Sequence, residues 1–106
     1  RYLDKKLKSL TTDLDENLND VAVLYQNTPN PFSQNTEIKY YLPDETVSAT
    51  LYVYNMQGIQ IKSYNISQRG DGSQMIYGHE LKAGMYIYTL ISDGTEVDSK
   101  RMILTE

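Results

Sequence analysis

The sequence predicts an all-β domain, a seven-stranded antiparallel sandwich, behind a short coiled-coil-like helix at the N-terminus. Three observations predict it. From about residue 21 onward, apolar side chains recur with period two, the spacing that turns one face of a strand inward. Turn signals built on Gly, Asn, Asp and Pro separate these runs by roughly 10–12 residues, the rhythm of an antiparallel sandwich rather than of βαβ units. Ten tyrosines stand against one phenylalanine and no tryptophan, and tyrosine suits strands that bury one face and keep a hydroxyl wet.

Residues 1–20 read as helix. Leu3, Leu7, Leu10 and Leu14 follow 4-3-4 spacing, and Asn17 and Val21 extend the seam in an a/d heptad frame that neither Gly nor Pro interrupts. An isolated helix of this length is marginal in water, so it needs a partner. Its charges fall in blocks, with Arg1, Lys5, Lys6 and Lys8 early and Asp13, Asp15, Glu16 and Asp20 late. Acid at a helix C-terminus opposes the macrodipole. Three placements fit: an antiparallel neighbour, the last turns of a longer parallel coiled coil closing an upstream region, or packing on the chain's own sandwich. The seam predicts a homo-oligomer in the first two. The chain opens inside a charged helical pattern, so Arg1 is read as a cut within a longer protein.

Strands are expected at about 21–25, 36–42, 48–54, 59–66, 73–80, 85–92 and 96–104. In the second, Thr36, Ile38, Tyr40 and Leu42 share one face; in the third, Ala49, Leu51 and Val53 alternate with Thr50, Tyr52 and Tyr54. The sixth is apolar on both faces, as a central strand is. Asn55-Met56-Gln57-Gly58 suits a type I turn closed by a left-handed Gly, and Asp71-Gly72 and Asp93-Gly94 are tight-turn signals. Leu81-Lys82-Ala83-Gly84 places a Gly just before a strand.

Composition narrows the function classes. A net charge of −4 argues against duplex nucleic acid and against a polybasic membrane anchor. There is no cysteine, and no apolar run approaches the roughly 18 residues of a spanning helix.

The segment Asn27-Thr28-Pro29-Asn30-Pro31-Phe32 carries two prolines that fix φ and bias the residues before them to extended backbone. It is expected to be a stiff crossing between sheets, with Phe32 plugging the core. It belongs to an ordered set: Leu24-Tyr25-Gln26 runs into it, then come Thr36-Glu37-Ile38-Lys39-Tyr40-Tyr41-Leu42-Pro43, Leu51-Tyr52-Val53-Tyr54-Asn55-Met56-Gln57-Gly58, Leu81-Lys82-Ala83-Gly84-Met85-Tyr86, and Lys100-Arg101-Met102-Ile103-Leu104. This set resembles the type A C-terminal sorting domain of type IX secretion substrates, found in Bacteroidota. The resemblance covers about Val23 to Leu104. It implies an immunoglobulin-like sandwich over 21–106 that sends its cargo through the periplasm and across the outer membrane, to the cell surface or beyond. The implied partners are the type IX translocon and a sortase-like protease that cuts the domain from its cargo. By resemblance, the recognition-bearing positions are Pro29, Asn30, Pro31, Gly58, Gly84, Tyr86, Lys100 and Arg101. Lys100 and Arg101, charged and on a final strand, are the candidates for direct contact; protection of an edge strand is the competing reading. The family expects a flexible linker where this chain has a helix, which leaves about 17–22 as the stretch open to cleavage. The helix itself resembles the end of a tail-fibre or endosialidase-type chaperone coiled coil.

No enzyme chemistry is expected. The only histidine, His79, sits near the end of a predicted strand, where its neighbour Glu80 points to the other face, so no metal or cofactor site is assigned. Ser73 has no nucleophile motif around it. Asp93 to Asp98 lacks the alternating ligands of a calcium loop and reads as a turn with an edge strand. Asn65-Ile66-Ser67 is a formal glycosylation sequon and is treated as chance. Tyr41, Tyr52 and Tyr54 could project from neighbouring strands on one face. The runner-up reading therefore makes the domain an adhesive or ligand-binding module with a tyrosine face, against the commoner reading of cross-strand pairs that stabilise a sheet.

Overall fold

The computed structural model describes residues 20–106. The predicted helix, with its seam Leu3, Leu7, Leu10 and Leu14, lies outside the described residues except for Asp20. The rest forms seven strands: β1 (Val23–Leu24), β2 (Asn35–Leu42), β3 (Ala49–Asn55), β4 (Gln60–Asn65), β5 (Gly70–Tyr77), β6 (Gly84–Ser92) and β7 (Thr95–Leu104). A single 3-10 turn, Gly78–Glu80, precedes β6. They make two antiparallel sheets, one in the order β1-β2-β5 and one in the order β4-β3-β6-β7.

Period-two patterning builds one core between the sheets. Ile38, Tyr40, Leu42 and Ile76 come from the three-stranded sheet; Leu51, Val53, Tyr86, Tyr88, Leu90, Met102 and Leu104 come from the four-stranded one. Each fully buried Leu, Ile or Val of this set contributes about 1.5–3 kcal/mol. Strand β6 is central, between β3 and β7, which is why both of its faces are apolar in sequence. Tyr88 is wholly buried, and its hydroxyl donates to the Tyr25 carbonyl at 2.8 Å. Burial pushes its pKa up to about 12.

The hairpins follow their turn chemistry. Gly58 has φ +85°, its N–H donates to the Asn55 carbonyl, and the Asn55 side chain accepts from Gln57 N and Ile59 N. Asp93 and Gly94 both take positive φ between β6 and β7.

The fifth strand departs from expectation. It spans Gly70–Tyr77 rather than 73–80, and Asp71-Gly72 lies inside it instead of forming a turn. Residues 66–69 carry the chain from one sheet to the other, and there the Arg69 guanidinium donates to the carbonyls of Thr46, Val47, Ile66 and Gln68. Gly72 pairs with Tyr40, and a Cβ there would sit 2.7 Å from the Tyr40 ring, so this Gly serves close packing rather than a bend. Because the strand ends early, His79 and Glu80 fall on the 3-10 turn. They are not split across a strand, and His79 Nε2 stands 4.0 Å from Glu80 Oε2. Glu80 is held more closely by Lys62, at 2.9 Å, which lowers its pKa.

Candidate recognition surface

The Pro-rich segment crosses from one sheet to the other. Thr28 bridges antiparallel to Glu37 of β2, and Phe32 bridges parallel to Leu104 of β7. Phe32 is buried at 2% exposure, with its N–H donating to the Ile103 carbonyl and its own carbonyl accepting from Thr105 N. Both X-Pro bonds, Thr28-Pro29 and Asn30-Pro31, are cis. Prolines bring no N–H, so side chains supply donors here. Asn27, buried at 2% exposure, donates to the Pro29 carbonyl at 3.1 Å and to Thr36 Oγ1 at 2.9 Å; Thr36 Oγ1 donates in turn to the Pro29 carbonyl at 2.8 Å.

The crossing lies along the last strand. Ile103 N–H donates to Asn30 Oδ1 at 2.9 Å, and Asn30 Nδ2 reaches the Arg101 carbonyl at 3.5 Å. Gln26 Nε2 donates to the same carbonyl at 2.7 Å and to Asn27 Oδ1 at 2.7 Å. Positions about 70 residues apart in sequence, Pro29-Asn30-Pro31 and Arg101, thus meet on one edge of the four-stranded sheet.

The basic pair does not act as a pair. Lys100 registers opposite the buried Tyr88 and Arg101 opposite Ile87, and consecutive strand residues point to opposite faces. Lys100 is half-buried with its Nζ 3.3 Å from Asp98 Oδ2. Arg101 is exposed and belongs to none of the ion pairs among the described residues, which are Lys62–Glu80, His79–Glu80 and Lys100–Asp98. Beside it lies a shallow cleft of about 140 Å³ lined by Ile87, Ser99, Lys100 and Arg101.

The remaining positions are dispersed. Gly58 sits in the β3–β4 turn, and Gly84 opens β6 opposite Leu104. Tyr86 faces inward at 7% exposure, its hydroxyl donating to the Lys82 carbonyl at 2.5 Å. The three-tyrosine face is not formed. Tyr41 belongs to β2 of the three-stranded sheet, and Tyr52 and Tyr54 belong to β3 of the other. Consecutive strands in a sandwich often belong to different sheets, which alternation alone does not reveal. Tyr52 and Tyr54 do lie side by side, tilted at 38° with centroids 6.2 Å apart, while the Tyr41 hydroxyl donates to Asp20 at 2.6 Å and its pKa is pushed up to about 12 by that bond.

Gln26 and Asn27 stand in the sequence motif without a role assigned to them, and Arg69 is not singled out at all. The signal for the first two was available: a run that removes two backbone donors must recruit side-chain amides nearby. Among the described residues, no group of three His, Cys, Asp or Glu side chains could hold a metal ion, and the His79 side chain is 78% exposed. No helix among these residues is long and apolar enough to cross a membrane.

Residues 28–105 match the model of a protein family described as the secretion system C-terminal sorting domain. No curated protein and no solved structure matches the chain.

Proposed function

The chain belongs to the secretion system C-terminal sorting domain family, and on that premise we propose which of its surfaces is read. The domain is a C-terminal sorting signal for type IX secretion, it interacts with that machinery, and the protein that carries it is secreted or placed at the cell surface. The reading surface is the edge where the Gln26–Phe32 crossing lies against the end of β7. Arg101 makes the direct contact there. Pro29, Pro31, Gly58 and Gly84 shape the backbone, Asn30 joins the crossing to the strand, Lys100 is tied to Asp98, and Tyr86 supports the surface from within.

One observation carries this assignment: the Asn30 amide bonds the backbone on both sides of Met102, bringing separate stretches of the family motif onto one edge. The finer readings follow the family resemblance. The body over 21–106 is an immunoglobulin-like sandwich of type A that acts as a folded signal and not as an enzyme. It passes through the periplasm, reaches the outer-membrane surface of a Bacteroidota cell, and is cut by a sortase-like protease within about 17–22.

The test appends the whole chain to a neutral reporter in a bacterium with a type IX apparatus. The reporter is expected outside the cell, with Arg101→Ala lowering the exported fraction to a reduced but measurable level and holding the remainder in the periplasm. A folded reporter fusion retained in the periplasm rejects the sorting role. Arg101→Ala exported at the parent level rejects the surface.

A further inference from the structure

β7 is an edge strand whose only ladder partner is β6. The end of a strand laddered on one side frays unless something ties it down. Here the tie comes from the far end of the domain. The Arg101 carbonyl accepts from Gln26, the Ile103 N–H donates to Asn30, and the Phe32 backbone closes the next two groups, Ile103 O and Thr105 N. From the Arg101 carbonyl to the Thr105 N–H, the outward-facing backbone groups at the end of β7 are occupied. A partner therefore cannot add a strand at this end, and what it meets is the Arg101 side chain.

From this geometry we infer that Gln26 is a positioning residue for recognition, holding the Arg101 peptide so that its guanidinium is presented at a fixed place beside the Ile87–Ser99 cleft. The inference rests on Arg101 being the contact, as assigned above. Gln26 suits the task because it is exposed, so its amide adds little to the core, and because its nitrogen bonds the contact residue's own carbonyl at 2.7 Å. Asn27 Oδ1, accepting from the same amide, orients it.

The test is a double-substitution cycle in the exporting host, on the whole chain with its reporter. Gln26→Ala and Gln26→Glu are both used. The second keeps the size but removes the donor and sets a carboxylate against two oxygens. Each is expected to lower export roughly five-fold, the scale of one net hydrogen bond. The melting midpoint should fall by no more than about 4–8 °C, the scale of one net hydrogen bond in a domain of this size, with the chain folded at the assay temperature, and ¹⁵N relaxation should report faster motion at Arg101 and Met102. In an Arg101→Ala background, Gln26→Ala should have no further effect on export, because nothing is left to position. A purely structural Gln26 would lower export in both backgrounds, and that result overturns the proposal. Normal export of Gln26→Ala beside a deficient Arg101→Ala overturns it alone. Normal export of Arg101→Ala overturns the recognition reading and this proposal together.

Discussion

Asn27→Ala tests the claim that side-chain amides replace the donors missing from the crossing. Asn27 is buried and makes three hydrogen bonds, to Thr36 Oγ1, to the Pro29 carbonyl and from Gln26. Truncation does not strand every partner. Thr36 keeps its donation to the Pro29 carbonyl, so that oxygen loses one of two donors, and Gln26 is exposed and can turn to water. Two buried bonds are lost at about 1 kcal/mol each, and the empty amide site adds a little more, for a total of about 2–3 kcal/mol. In a domain of this size that is a drop in melting temperature of about 10–15 °C. Urea unfolding followed by circular dichroism measures it, with the m-value unchanged. Thr36→Val is expected to cost a similar amount. The double variant should cost less than the sum, since the two side chains share a bond. A loss below about 1 kcal/mol for Asn27→Ala, or strict additivity with Thr36→Val, would refute the account.

Two further outcomes follow from the packing. Gly72→Ala places a methyl 2.7 Å from the Tyr40 ring, and overpacking of this kind costs about 1–3 kcal/mol; Tyr40→Leu in the same chain should recover part of it, and equal losses in both backgrounds would mean that the glycine matters for backbone freedom instead. The second concerns alkaline pH. Tyr88 holds its proton up to about 12 when folded, against an ordinary 10.0, so the unfolded chain ionises first and the contribution, full below pH 10, is lost as pH rises from 10 to 12. The loss is about 2–3 kcal/mol, and burial pushes Tyr40 and Tyr64 in the same direction. Stability of the parent should fall more steeply across that window than that of Tyr88→Phe, and parallel slopes would remove Tyr88 as the cause.

Much of the fold was legible because burial in a sandwich is written in alternation. Ile38, Tyr40 and Leu42, or Leu51 and Val53, could face inward in only one register. β5 was misread for a related reason. Ile76 is its one fully buried apolar side chain, so alternation is faint, and Asp71-Gly72 imitates a turn. The reason for Gly72 lies on Tyr40, 32 positions away, where a local reading does not look. The tyrosine face failed at another level. Alternation assigns a residue to a face of its strand but says nothing about which sheet the strand joins, and Tyr41 and Tyr52 went to different sheets. For the site, the motif positions were visible one by one, whereas their meeting was not. Lys100 and Arg101 look alike in sequence, and only the register opposite Tyr88 and Ile87 separates the one paired with Asp98 from the one left exposed.

The crossing explains why the motif needs its particular mixture of residues. A segment with two prolines cannot form a ladder strand, and a segment without them would extend one sheet instead of passing between two. Thr28 pairs with β2 and Phe32 pairs with β7; the Gln26 and Asn27 amides donate to the Arg101 and Pro29 carbonyls, and Asn30 Oδ1 accepts from the Ile103 N–H. The same residues that join the sheets therefore also finish the last strand. A tail consisting of β7 alone would carry Arg101 but not Gln26, Asn30 or Phe32, so the arrangement around Arg101 exists only when residues 26–36 and 101–105 have folded together.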